Sequence, residues 1–582
     1  MQPAQRVCFL RAPGSRRDSN PVLIGDSVEI NRIIRSKAEQ WTRLFASWIA
    51  GLNRRNACLG WWAYTSTAKN LLSSPLGTRF MEALAVAEIA RQASGTLYVC
   101  GATAGQMETI RALLRPDGIA VGGPAFSQRW RAKAGRWLEA LLRVLQQAAG
   151  ISIAFLGKRL QASERPLDIC LFTYVDSARH AGVDSYFGRF MRLLEDCRPG
   201  MRARYAAYVY APYRSRLREL AALDGEEIVP LFHELSLVDY VASARASSAA
   251  LFPGRHRLSA GGPLDLALQP LLREALIDDV RVGGYLHNLL IHRAVRRSVR
   301  RTCVGTLIYP YENKSLEKLL LLGAREGRPG IATVGYQHTS ITRRHITLLF
   351  EPGEAEVTPL PDRIVTVGDI TRRFLEGAGR YPPGIFFTGC ALRQQWEAPL
   401  PRRMASAGPF RLLLALSSSR RELQEAVEFV RAALDIDQEM NIGIRPHPNF
   451  PLAALPAGLR RWIEAHASDL SGTPLRENLA WCDSVAYVSS TVALEALMVG
   501  RPVVNLRLSD AIDPDPLLEP APLAWKVSSP GELLAVLRSA RALDDVDFGS
   551  RRDATIERMK AYFRPHTPEA FQAFLATGAA HD

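Results

Sequence analysis

The sequence predicts an α/β protein with two doubly wound parallel sheets facing each other across a cleft. Three observations predict it. From residue 305 onward, short apolar runs closed by small or polar residues alternate with helical patterns, the rhythm of parallel strands covered by helices. The same rhythm restarts at 410. Between the two, QQWEAPLPRRMASAGP (394–409) is rich in proline and small residues and reads as a linker. A chain of 582 residues is long for a single core, and 47% hydrophobic with 23% charged residues excludes a disordered or fibrous protein.

Taken in order, RVCFLRA opens the chain as a strand, and helical patterns follow over 31–50 and 79–93. TLYVCGA (96–102) is a strand leading into a helix near 105–114. Residues 128–148 alternate basic and apolar positions at helical spacing, with Trp130 and Trp137 among Arg129, Arg131, Lys133 and Arg136. LDICLFTYV (167–175) is a strand followed by the polar turn DSARHAGVDSYFGRF. A long helical region covers 265–302 and ends in Arg293, Arg296, Arg297, Arg300 and Arg301. Then come GTLIYPYE (305–312), GIATVGYQHTS (330–340), RIVTVGD (363–369) and GIFFTGCALR (384–393). The second unit contains FRLLLALSSSRREL (410–423), NIGIRPHPNF (441–450) and SVAYVSSTVALEALMVGRPVVNL (484–506), with helices near 530–542 and 551–575. The expected units are 1–393 as an acceptor-side α/β domain with helical insertions, 410–550 as a nucleotide-binding α/β domain, and 551–582 as a terminal helix packing back on the first.

The net charge of +15 is uneven. From 408 onward 18 basic residues meet 23 acidic ones, so the excess lies entirely in the first two thirds. That asymmetry points to an anionic partner, although arginine-rich composition alone is the plain alternative. No recognised nucleic-acid-binding module is present, which argues against nucleic acid. No apolar run reaches the roughly 18–20 residues of a membrane span, and MQPAQRVCFLRAPGSRRDSN has no signal-like apolar core. The expected location is cytoplasmic and peripheral to the inner membrane. The eight cysteines form no CxxC pair and read as small buried hydrophobes; the 11 histidines form no metal motif.

Three loops of the second unit carry candidate chemistry. In SVAYVSSTVALEAL, a strand meets Ser489, Ser490 and Thr491 at the start of a helix, where hydroxyls and backbone N–H groups bind anions; Glu495 stands one turn in. In IGIRPHPNF, Arg445 and His447 follow a strand, and Pro446 and Pro448 fix where His447 points. In LALSSSRRE, Ser418 lies among three serines that open a helix. Ordinary helix capping and a proline-stiffened turn are the plain alternatives for each loop. All three leave one sheet edge in the usual strand order.

RPHP, then SST with ALEAL, then GRPVV, resembles the nucleotide-binding half of GT-B-fold glycosyltransferases. Within that fold the HP and SS/ST pair is similar to bacterial sialyltransferases, polysialyltransferases and Kdo transferases, and to CDP-glycerol polymerases. The resemblance implies a cytidine nucleotide held by His447, Ser489, Ser490 and Thr491, with the histidine assisting its departure. YPYENKSLEKLLLLG and GYQHTS resemble a bacterial surface-carbohydrate family found with O-antigen and capsule genes. Glu312 and His338, each after a strand, are the candidate bases for the acceptor hydroxyl. Asp176, Asp184 and Tyr186 occupy the place of the acidic sialyltransferase motif, but the DDG-type pattern is not matched. DPDP (513–516), past the last clear strand, is proline-fixed, and no convincing DxD is present, so a metal-independent reaction without a cofactor is expected, with Arg445, His447 and helix N-termini in the metal's place. The expected activity is transfer of a nonulosonate-type sugar (Kdo, sialic acid or a relative) from a CMP-sugar to a lipid-linked or oligosaccharide acceptor at an anionic membrane surface. The alternatives are a CDP-polyol phosphotransferase, a UDP-sugar glycosyltransferase, and a non-catalytic scaffold of a glycan-assembly complex.

Overall fold

The computed structural model describes residues 6–9, 26–70, 74–92, 97–122, 142, 166–175, 184–209, 228–262, 264–402, 408–417, 419–437, 439–447, 450–508 and 512–575. The basic–aromatic pattern over 128–148, apart from Leu142, lies outside them, as do Asp176, Ser418 and Pro448.

Three parallel sheets organise the chain. The smallest orders β1 (Arg6–Phe9), β2 (Leu97–Cys100) and β3 (Val121–Gly122). The largest has seven strands: β4 (Ile169–Val175), β5 (Ala203–Val209), β6 (Ile228–Pro230), β7 (Thr306–Pro310), β8 (Ala332–Gln337), β9 (Arg363–Thr366) and β10 (Phe386–Thr388). Their order is β10-β9-β8-β7-β4-β5-β6. The third has six: β11 (Phe410–Ala415), β12 (Met440–Arg445), β13 (Ala467–Asp469), β14 (Ser484–Tyr487), β15 (Val503–Leu506) and β16 (Ala524–Val527), in the order β13-β12-β11-β14-β15-β16. The two large sheets are the doubly wound α/β architecture expected from the sequence. Strand β4 is buried at every position, ICLFTYV, because helices cover both faces. DPDP does not follow the last strand: β16 comes after it.

Each large sheet reverses direction at one place, between β7 and β4 and between β11 and β14. Ligands of such sheets bind beyond the carboxyl ends of the strands at that reversal. The segments that leave β7, β8, β12 and β14 there carry Glu312, His338, His447 and Ser489–Thr491.

Two expectations need correction. The helical region 265–302 is two helices, Asp265–Arg281 and Gly284–Thr302, because Gly283 adopts φ 86°, a left-handed conformation that ends the first helix. The cysteines are not uniformly buried: Cys170, Cys390 and Cys482 are, but Cys58 and Cys303 are exposed.

One apolar cluster joins the two large sheets. It includes Ile169, Tyr336 and Val367 from the first, Leu413, Leu494 and Val503 from the second, and Phe571 and Phe574 from the chain end. The helix Asp545–Tyr562 packs on both Val492–Met498 and Asp369–Ala378. The helix Pro568–Leu575 packs on Phe190–Cys197 and β10, with Phe574 5.2 Å from Tyr336, ring to ring. A second cluster, built around Trp61, Trp62 and Phe80, packs the helices Asp26–Asn56, Leu76–Gln92 and Asp265–Arg281 around the three-stranded sheet. No described helix is long and apolar enough to cross a membrane.

Candidate active site

The chain leaves β7 at Pro310 and turns into the helix Ser315–Gly327. Asn313 makes the turn with φ 57°, a left-handed value asparagine tolerates, and its Nδ2 donates to the Thr347 carbonyl at 2.6 Å. The Glu312 backbone N–H donates to Glu317 at 2.9 Å. This geometry turns the Glu312 carboxylate toward Lys314 Nζ at 2.5 Å and His338 Nε2 at 3.7 Å. Desolvation pushes its pKa up, but Lys314 and His338 outweigh it, and the net shift is downward. Glu312 is therefore ionised.

His338 closes β8 and is only 2% exposed. Burial pushes its imidazole down to about 4, so the ring is neutral near neutral pH. Its Nδ1 is buried, with no hydrogen-bond partner among the described residues. The ring lies 4.9 Å from that of Tyr186. Tyr186 is placed there by Asp184, whose carboxylate accepts from Thr173 Oγ1 at 2.7 Å and from the backbone N–H groups of Tyr186 and Phe187 at 2.8 Å each. Asp184 thus shapes the turn; Glu312 and His338 form the pair.

The six-stranded sheet presents a different set. Its loops are stitched by Glu422, a residue the sequence reading missed, in the first turn of the helix Arg420–Ile436. Ser417 donates to Glu422 Oε2 at 2.6 Å and Ser489 at 2.9 Å, so one buried carboxyl ties the end of β11 to the end of β14. The signal was available: Ser419-x-x-Glu422 is a capping spacing, and Ser419 does accept from the Glu422 N–H at 3.4 Å. The Ser489 hydroxyl hydrogen is thereby committed to a carboxyl. Ser490 is buried and Thr491 is exposed. Thr491 sits at the cap position of the helix Val492–Met498, but its side chain makes no capping bond, because its own backbone is already helical (φ −66°, ψ −17°).

Arg445 closes β12 with its Nη1 turned into the 470–478 loop, donating to the Thr473 carbonyl at 2.7 Å and Asn478 Oδ1 at 2.7 Å. His447 is half-buried and desolvation lowers its pKa, so it too is neutral. Glu495 has its pKa raised by burial against the opposing charges of Arg393 and Arg445.

Arg393 is the second residue that sequence reasoning missed. The segment Gly389–Arg393 passes from β10 toward the six-stranded sheet under tight control. Tyr336 Oη donates to the Cys390 carbonyl and accepts from the Leu392 N–H at 2.9 Å. The Leu392 carbonyl lies against Gly188, where a Cβ would stand 1.9 Å away. So held, Arg393 is exposed, and its charge acts on His338 from one sheet and Glu495 from the other. It forms no hydrogen bond or ion pair among the described residues. Its only sequence signal was a strand end beside the linker.

Loops from the two sheets also meet nearby: Arg343 lies 3.3 Å from Asp513, and Arg344 Nε donates to the Ile512 carbonyl at 3.2 Å. The DPDP aspartates are used within the fold, Asp515 by Tyr487 at 2.9 Å and Lys526 at 2.7 Å. Among the described residues no group of three or more His, Cys, Asp or Glu side chains could hold a metal.

No protein-family model matches the sequence, and no curated protein matches it. Solved structures do. CalG4, the calicheamicin glycosyltransferase, aligns over 71% of this chain and 99% of its own at 14% identity and a TM-score of 0.38. The wall teichoic acid polymerase TagF aligns over 77% and 96% at 12% identity and 0.35. The UDP-GlcNAc 2-epimerase from Neisseria meningitidis aligns over 70% and 98% at 9% identity and 0.39. At these scores the likeness carries no argument, and the fold rests on the strand topology above.

Proposed function

We propose that this chain is a glycosyltransferase in which a nucleotide-sugar on the six-stranded sheet meets an acceptor hydroxyl on the seven-stranded sheet. One observation supports this most: the charge of one exposed cation, Arg393, bears on His338, the neighbour of Glu312, from one sheet and on Glu495 from the other. The Glu312 carboxylate takes the acceptor proton as the hydroxyl oxygen attacks the anomeric carbon. The bond from that carbon to the donor phosphate breaks, and the charge appears on the departing nucleotide. Arg393 stabilises that charge, and neutral His447 donates a hydrogen bond to it. The low pKa of Glu312 makes it a modest base; what it supplies is an acceptor already ionised and aimed. No metal or cofactor enters this reading.

Its finer form keeps the sequence expectation: a CMP-activated nonulosonate donor, with a surface-glycan acceptor that is lipid-linked or free, at an anionic membrane. The RPHP loop with the hydroxyls at Ser490 and Thr491 supports the cytidine class. Calorimetry with CMP, CDP and UDP tests it. CMP binds tightest, and Arg393→Gln and His447→Ala each weaken it by about 1.5–3 kcal/mol, the value of a charge-assisted hydrogen bond. Wild-type affinity in both variants contradicts the site; tighter CDP or UDP binding moves the donor to those classes.

A further inference from the structure

The helix Leu237–Ala249 is built inside out. Its protein-facing side carries Asp239, Ser243 and Ser247, all buried. Its outer side carries Leu237, Val238 and Val241, with 79%, 73% and 52% of their surface exposed. Phe252, just past the helix end, is 79% exposed. A surface helix ordinarily does the reverse, so this one is complete only with an apolar partner.

Beside it lies a groove of about 440 Å³ lined by Arg293, Arg296, Arg297, Arg300 and Arg301 together with Glu234 and Asp239. Asp239 takes Arg297 at 2.8 Å and Arg293 at 3.8 Å, Glu234 takes Arg301, and Glu326 takes Arg296 at 3.3 Å. Arg300, exposed, has no carboxylate partner among the described residues. Five arginines thus meet three carboxylates, and Ser236, the residue that precedes Leu237, accepts from Arg297 at 3.1 Å. The Arg297–Ser236 bond joins the groove to the first turn of the helix that carries the apolar stripe.

We infer that this surface docks the protein on an anionic phospholipid bilayer. Leu237, Val238, Val241 and Phe252 enter the interface and the arginines meet headgroup phosphates. The charge fixes the occupant: a neutral apolar partner leaves the arginine excess unmatched, and a nucleic acid leaves the stripe uncovered. The inference rests on the anionic-membrane part of the proposed function and assigns it a surface; it does not depend on the transfer chemistry. The helix that ends in Arg300 and Arg301 enters β7 from its amino end, whereas Glu312 lies past its carboxyl end. Docking variants therefore leave the cleft intact.

The test is co-sedimentation with vesicles of phosphatidylcholine, alone or mixed with phosphatidylglycerol, at low and high salt. The protein pellets with the mixed vesicles and not with phosphatidylcholine alone. Arg296→Gln/Arg300→Gln lowers low-salt partitioning about 25-fold, since each basic residue near an anionic leaflet contributes about fivefold. Val238→Ser/Phe252→Ser removes the fraction that survives high salt. Thermal melts confirm that both double variants fold; all four positions are at least partly exposed. Absence of wild-type binding at low salt, or wild-type binding by both variants, overturns the inference. So does competition by inorganic phosphate with no effect of Val238→Ser/Phe252→Ser, which marks a soluble-anion site. A dimer that Val238→Ser/Phe252→Ser dissolves assigns the face to a second copy and overturns it as well.

Discussion

Glu312 and His338 were both legible as polar residues closing apolar strands, but their protonation states were not. Those follow from Lys314 at 2.5 Å and from the burial of the imidazole, which depend on how β7 and β8 sit side by side. The states make a prediction about pH. Glu312 titrates below its ordinary range, His338 near 4, and His447 below its usual value. Glu312 and His338 are deprotonated at mildly acidic pH, and His447 takes its proton only below the ordinary histidine value. The acidic limb of the transfer rate is expected below the ordinary histidine value of about 6.5, where Glu312 takes a proton. A limb centred near the ordinary histidine value would show that an imidazole, not Glu312, is titrating.

Ser489 shows what a motif does not reveal. Hydroxyls in an SST run all look alike in sequence, yet Ser489 is spent on Glu422 and Thr491 is left exposed. Ser489→Ala is expected to cost about 1–3 kcal/mol in urea unfolding, the range for a hydrogen bond to a carboxyl group, with CMP affinity nearly unchanged. Thr491→Ala is expected to weaken CMP binding without loss of stability. The reverse pattern would return Ser489 to the nucleotide site.

At the scale of elements, the strands after 305 were readable because each is short, apolar and closed by polar residues. The break at Gly283 was not, because two amphipathic helices in tandem give one unbroken 3.6-residue pattern. Nor was the close approach at Gly188. Its φ of 52° and the carbonyl 1.9 Å from a would-be Cβ are set by a segment two hundred residues away. Gly188→Ala is expected to cost roughly 3 kcal/mol or more and to displace the segment that carries Arg393, so transfer falls along with the melting temperature. Gly330→Ala is the control: its φ is +82° but nothing lies within 4 Å, so only the backbone cost of roughly 1 kcal/mol remains. Equal melts for the two variants would show that the Gly188 contact constrains nothing.

At the scale of the molecule, the central strands of the two large sheets and the break between them follow from texture, whereas β5, β6, β13 and β16 went unread. The three-stranded sheet does not follow from it: β3 is two residues long, and β1 and β2 pair although almost ninety residues separate them in sequence. Chain order placed the candidate bases and the nucleotide loops on different sheets. Arg393, whose charge bears on His338 and on Glu495, leaves the core that the two sheets share around Tyr336, Phe571 and Phe574.

The central claim is that an acceptor proton leaves through Glu312 while a nucleotide departs from the opposite sheet. Nucleotide release from a CMP-sugar, measured with and without acceptor in the wild type and in Glu312→Gln, tests it most directly. The expected result is acceptor-dependent CMP release that falls roughly 10²–10⁴-fold in Glu312→Gln, with CMP affinity retained. Wild-type release by Glu312→Gln, or the absence of acceptor-dependent release from CMP-, CDP- and UDP-activated donors alike, would contradict it.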